Sequence, residues 1–118
     1  MSMKNVDDAL MDALDPILPG CVFPNTYVGK AVEYIVTNYT TVPSVYAERL
    51  PAAARHLVQV HYFLPTGKNP NPNKLAIQRA LYNSGFTWPS ITPAHESQGQ
   101  HWVLECEYVN AGGVYGQT

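Results

Sequence analysis

Between Arg55 and Val109 two alternating segments flank one sharply bounded helical pattern, an order that confines the chain to a sheet with a helix laid across it. Arg55 to Leu64 sets His56, Val58, Val60, Tyr62 and Leu64 against Arg55, Leu57, Gln59, His61 and Phe63. His101 to Val109 sets Trp102, Leu104, Cys106 and Tyr108 against His101, Val103, Glu105, Glu107 and Val109. A period of two sends successive side chains to opposite faces, so both segments are strands. Between them the sequence predicts a helix with Asn71 as N-cap and Pro72 at the first helical position, where a missing N–H costs nothing. Ile77, Ala80, Leu81 and Ser84 form its apolar face, with Leu75 beside them. Gly85 supplies the left-handed residue that ends it, and Phe86 can fold back on the last turn.

The N-terminal half is read in the same way. Asn5 caps a first helix with Asp7 and Asp8 in its opening turn, and Val6, Leu10, Ala13 and Leu14 make one stripe. Pro16 and Pro19-Gly20 stop it near Asp15. Val22 and Phe23 open a short strand. Ala31 to Tyr39 is a longer one, with Val32, Tyr34 and Val36 opposed to Glu33, Ile35, Thr37 and Tyr39. Thr40 to Ala54 holds Pro43 and Pro51 without a clear period and reads as a long connection. Trp88-Pro89 and Thr92-Pro93 belong to an irregular or edge segment, since proline cannot donate to a central ladder. The expectation is one α+β domain over residues 1–110, a mainly antiparallel sheet with two helices on one face in the order α-β-β-β-α-β, and a flexible tail over 111–118.

Composition narrows the function. With 118 residues the chain is long enough for a core without metal or disulfide. Seven Lys+Arg against nine Asp+Glu, with no basic run, argue against a sequence-specific nucleic-acid surface. No apolar run approaches the ~20 residues of a bilayer span. Cys21 and Cys106 have no CxxC spacing and read as buried free thiols, and the chain as soluble and intracellular.

On this reading the even positions of all three long strands face the helices. The odd face carries Glu33, Arg55, Gln59, His61, Glu105 and Glu107, but also Ile35, Leu57, Phe63, Val103 and Val109, so it is not the polar side of a solvated sheet. Either the Thr40 to Ala54 connection or a neighbouring subunit covers it. Eight tyrosines against three phenylalanines fit an interface, though Tyr is also an ordinary strand former.

No catalytic site assembles. His56 and His61 point to opposite faces, which removes the simplest chelating pair, and His95, Glu96 and His101 come together only if the fold places them so. His61 with Glu105 or Glu107 is a cross-strand polar pair. Glu105 and Glu107 share a face as glycosidase carboxylates might, without cleft-building loops around them. Neither cysteine has an activating context, and Gly112-Gly113 lacks the following helix of a phosphate loop. No catalytic residue, cofactor or metal ligand is expected.

In the order of its parts the chain resembles the tail terminator (tail completion, tail-to-head joining) proteins of long-tailed bacteriophages. The likeness runs over roughly residues 5 to 110: the first helix leading into "ILPGCVFPN", the strands "AVEYIVTNY" and "RHLVQVHYFLP", the helix "NKLAIQRALYNSGF" after an Asn/Pro loop, and the closing strand "HWVLECEYV". The resemblance implies a structural ring, typically hexameric, that caps the tail tube, stops its growth and joins it to the head. Its partners would be itself, the major tail tube protein and a head completion or connector protein. It would act in the virion, at the head-proximal end of the tail, after assembly in the host cytoplasm. Ile35, Leu57, Phe63 and Val103 on the odd face, and Tyr46, Arg49, Lys68 and Asn69 in the two loops, are the candidate partner-binding residues. Another neck or minor tail protein, a small-molecule-binding regulatory domain and a small hydrolase remain as alternatives.

Overall fold

In the computed structural model, which describes residues 5–47, 50–94 and 96–110, Asn5 caps the first helix as expected: its Oδ1 accepts the Asp8 N–H at 2.8 Å. The elements follow as α1 (Val6–Leu14), β1 (Val22–Pro24), β2 (Tyr34–Ala47), β3 (Leu50–Leu64), α2 (Asn71–Asn83), β4 (Ser90–Ala94) and β5 (Gln100–Asn110). This is an α+β fold, the expected order with the edge strand β4 inserted before the last strand. The sheet runs β1-β2-β3-β5-β4, antiparallel throughout except for the parallel pair β1 and β2.

Both helices lie on one face. Val6, Ala9, Leu10, Ala13 and Leu14 of α1 and Ile77 and Leu81 of α2 close over Ile35, Val58, Val60, Tyr62, Leu64, Leu104 and Tyr108 of the sheet. The helix α2 begins one residue earlier than its sequence indicates. Pro70 is its N-cap, Asn71 and Pro72 are its first two residues, and the Asn71 N–H is met from outside by Asn69 Oδ1 at 3.1 Å. Its other end is as read: Gly85 has φ +98°, and the Phe86 N–H donates to Leu81 O at 3.0 Å while the Gly85 N–H donates to Tyr82 O. That pair of bonds turns Phe86 into the core beneath the helix, 3% exposed.

Two expectations fail, each for a physical reason. The first is the parity of β2. Its register sets Ile35 opposite Tyr62 and Thr37 opposite Val60, so the odd residues of β2 share a face with the even residues of β3 and β5. Ile35 is completely buried under the helices, and Tyr34, Val36 and Asn38 lie on the outer face. Alternation within a strand does not say which of its sides matches which side of its neighbour; the hairpin register decides that.

The second is the Thr40 to Ala54 segment, which is no connection across the sheet. It is the distal half of a hairpin in which β2 and β3 stay paired out to Ala47 and Leu50. Ser44 is an extra residue on β2 and Ala52 an extra one on β3, so the two bulges cancel and the register resumes. Among the described residues β1 pairs only with Ile35 to Thr37 of β2, and Asn110, the last described residue of β5, stands opposite Ala54 of β3. Around Pro43 the described residues leave one edge of β2 unpaired, where a proline interrupts no second ladder. Pro93 sits on the edge strand β4 in the same way. The ribbon stretches the molecule to 53 × 27 × 25 Å with a radius of gyration of 15.2 Å. A compact domain of this length would have about 13.5 Å.

Residues 111–118, and the tail expected there, lie outside the described residues, as do Arg49 and His95. Gly85→Ala should lower the unfolding free energy by about 1–2 kcal/mol, the cost of a Cβ in left-handed backbone. The added carbon meets Tyr108 Cε1 only at an ordinary 3.4 Å, so the loss comes from φ. A denaturant midpoint that falls at constant slope would show it.

Candidate functional site

The outer sheet face is built in transverse rows by the strand register. One row runs Tyr34, Phe63, His101, and the next Val36, His61, Val103, Thr92; beyond them come Asn38, Gln59, Glu105, Ser90 and then Thr40, Leu57, Glu107. At one end of the face the rings form a continuous stack. Centroid distances are 4.1 Å from Phe23 to Tyr27, 4.6 Å from Tyr27 to Tyr34, 4.6 Å from Tyr34 to Phe63 and 4.1 Å from Phe63 to His101. Tyr27 belongs to the 25–33 connection between the two parallel strands. Its Oη accepts the Ala31 N–H at 2.8 Å, and a Cβ on Gly29 would fall 2.2 Å from that oxygen, so only glycine lets the ring lie there. The 25–33 segment thus covers this end, and Val36 is buried although it faces outward.

The other end is open. Asn38, Thr40, Leu57, Gln59, Thr87, Glu105 and Glu107 line a shallow depression of about 640 Å³, and Leu57 is 40% exposed at its centre. Arg55 Nε donates to Glu107 Oε1 at 2.9 Å along one side of the same face, a solvent-exposed pair that raises the Arg55 value.

A line of polar side chains crosses the boundary between the two ends. His101 Nδ1 lies 2.9 Å from Glu96 Oε1, His101 Nε2 lies 2.8 Å from His61 Nδ1, and His61 Nε2 lies 3.2 Å from Gln59 Oε1. Gln59 Nε2 then donates to Glu105 Oε2 at 3.1 Å. His61 therefore reaches Glu105 through Gln59, where the sequence reading paired them directly. Burial first, and then the His101 ring, lower the His61 value, with Glu105 pulling the other way. Among the described residues no three His, Cys, Asp or Glu side chains gather as metal ligands.

The helix-facing side holds a separate network. Glu33, next to Tyr34, points under the sheet, as the parity of β2 requires. It accepts from the Tyr62 hydroxyl, from Lys68 Nζ and from Asn73 Nδ2 at 3.2 Å; Asn73 also donates to Tyr62 Oη at 3.0 Å. Burial alone would raise the Glu33 carboxyl, but the bonds from Lys68, Tyr62 and Asn73, together with the Lys68 charge, hold it below the usual carboxylate value. Burial and the Glu33 carboxylate push the Tyr62 hydroxyl up. Cys106 is buried and its thiol is pushed up to about 12, by burial first and then by Glu107, so it is no nucleophile at neutral pH. Cys21, also unbonded, is only half-buried.

The candidate residues now separate. Leu57, Phe63 and Val103 share the outer face. Ile35 does not, because it is in the core. Lys68 is tied to Glu33, and the Pro65 to Pro70 loop is pinned by Gln100 Nε2, which donates to Pro65 O at 2.9 Å and Lys68 O at 2.7 Å. Asn69 spends its side chain on the α2 terminus. Tyr46 is a ribbon residue of β2, opposite Pro51, and Arg49 lies outside the described residues. The sequence reading missed Phe23 and Tyr27 because their placement follows from the parallel crossover, which no local pattern announces. It placed His61 and His101 on one face without pairing them, which needed the register of β3 against β5. No protein-family model matches the chain, and no curated protein matches it.

The Glu33 network carries a pH signature. In the window below 4.5 the folded carboxyl binds fewer protons than the unfolded one, so its stabilisation is fully present above that value and lost as pH falls through the lowered one. Glu33→Gln should therefore flatten the acid limb of a stability–pH profile and reduce stability at neutral pH. Equilibrium denaturation at several pH values between about 3 and 7, the span over which carboxylates titrate, checks both.

Proposed function

We propose that the chain is a structural protein of a phage particle that acts as a ring, capping the tail tube, ending its polymerisation and joining it to the head. The order and spacing of its elements support this reading through their resemblance to tail terminators. The observation that carries it furthest is the outer sheet face: an exposed Leu57 between Gln59, Glu105 and Glu107, continuous with the Phe63 ring stack, on the side opposite both helices. A terminator makes and breaks no bond; its ring needs two different, mutually complementary patches, so that each copy meets the next head to tail, and one docking surface. The outer face fits one of the ring patches. The projecting ribbon, with Tyr46 near its end, fits the docking surface. Hexameric copy number, the tube protein and the head connector as partners, and a place at the head-proximal end of the tail belong to the same proposal.

The face and the fold are separable by mutation. Leu57→Asp should abolish self-association in sedimentation while circular dichroism stays native, because Leu57 is exposed and lies outside the helix-covered core. Unfolding of that variant would instead make the face internal core, since an unpaired buried carboxylate costs several kcal/mol, comparable to the stability of a small domain.

Deleting the gene from its phage should leave heads without attached tails beside tubes of uncontrolled length. Infectious particles with normal tails in the deletion would sink the proposal.

A further inference from the structure

The line Glu96–His101–His61–Gln59–Glu105 can be counted in protons. An ionised carboxylate only accepts, so His101 Nδ1 must carry a hydrogen toward Glu96, 2.9 Å away. At the far end Glu105 only accepts, so it takes the Gln59 amide nitrogen at 3.1 Å and turns the amide oxygen to His61. His61 Nε2, 3.2 Å from that oxygen, must then carry a hydrogen too. The remaining two ring nitrogens, His61 Nδ1 and His101 Nε2, are 2.8 Å apart and need one hydrogen between them. That makes three N–H groups on two imidazoles, whereas two neutral rings have only two.

We propose that His61 and His101 form a single proton-binding site on the outer sheet face, holding one extra proton between their rings, and that its loss breaks the line toward Glu105. With the proton present every polar atom in the line is matched and the five residues carry one negative charge. Without it, one of the three bonds to the ring nitrogens must open; the ionised Glu96 holds a hydrogen on His101 Nδ1, a charge-assisted bond, so the break falls on one of the two bonds made by His61. If Gln59 turns its amide nitrogen to His61, its oxygen meets Glu105, two acceptors face each other, and Glu105 is released to the open depression beside Leu57. A change of one proton at the His61–His101 pair thus alters the charge and donor pattern at Glu105, three rows of side chains being linked by one string of bonds.

The surroundings favour one proton and resist a second. Glu96 from the segment before β5 and Glu105 from β5 are the charged groups facing the pair among the described residues. The neighbours from β2 are Tyr34, Val36 and Asn38, that from β4 is Thr92, and Phe63 of β3 stacks on His101, all uncharged at neutral pH. Burial lowers the His61 value even for a single charge, so the extra proton is held by the bonds to Glu96 and Gln59, and the His101 ring adds to the resistance against a second. Two histidines coupled this way titrate as a pair and have no separate values. None of this depends on what docks against the face, so failure of the docking proposal would leave it intact, and the reverse.

Long-range ¹H–¹⁵N spectra of the imidazole rings, taken on the full chain from about pH 5 to 9, an interval spanning the ordinary histidine value, test it. At pH 7 the two rings should show three nitrogen-bound hydrogens, with Nε2 of His61 and Nδ1 of His101 both protonated, and the extra proton should leave both rings at one common midpoint. Glu96→Gln, at a side chain 36% exposed, should cut the affinity for that proton about tenfold, one pH unit. Gln59→Leu should do the same by removing the acceptor for His61, and backbone spectra report whether each variant stays folded. Two neutral rings in the native protein at pH 7, separate midpoints for the two rings, or midpoints unmoved by Glu96→Gln would overturn the assignment.

Discussion

Everything in this molecule hangs on the register of the central strand β3 against both of its neighbours. Ile35, Tyr62 and Trp102 stand in one row, and because they do, the fully buried Ile35, Val60, Tyr62, Leu64 and Leu104 form one apolar floor for two short helices. A slip of one residue on either side would send the slipped strand's buried residues, Ile35 of β2 or Leu104 of β5, to the outer face and split that floor. The polar bonds reinforce the same alignment. Tyr62 meets Glu33 and Asn73, which come from β2's threshold and from α2, and Gln100 fastens the loop that leads into α2, while Lys74 lies 3.6 Å over the Trp102 ring. Helix position and strand register are thereby set by the same few side chains.

The outer face inherits its character from that arrangement. With most of the large aliphatic residues committed to the helix side, what is left outward is aromatic, amide and carboxylate in adjoining rows, with Leu57, Val36 and Val103 among them. The ring stack from Phe23 to His101 lies at the end that the 25–33 segment covers, whereas among the described residues the rows from Gln59 to Leu57 are open. A surface with an ordered aromatic flank and a polar, partly apolar centre has the composition of an interface rim and core side by side.

Much of this was legible in the sequence, for identifiable reasons. Helix boundaries were readable because Asn5, Gly85 and Phe86 act within one turn of their own position. Edge character at Thr92-Pro93 was readable because proline has no N–H. Parity between strands was not, since nothing inside Ala31 to Tyr39 says that Ile35 will stand beside Tyr62. The 40–54 segment was misread because a proline such as Pro43 signals a break only where both strand edges are paired, and among the described residues β2 has one unpaired edge there. The proton-counted line from Glu96 to Glu105 joins β3, β5 and the segment before it, so it existed in the sequence only as five scattered polar residues.

Free edges in a long ribbon invite a further strand to add on, and another after it, which is the route to fibres. Among the described residues Pro43 and Pro93 stand on unpaired strand edges, and proline lacks the hydrogen that an arriving strand's carbonyl would take. Growth by lengthening the sheet is therefore discouraged at both margins of the molecule. Side chains on faces and tips remain as the surfaces through which such a molecule could meet another, a geometry whose rotations, unlike an added strand, can close on themselves.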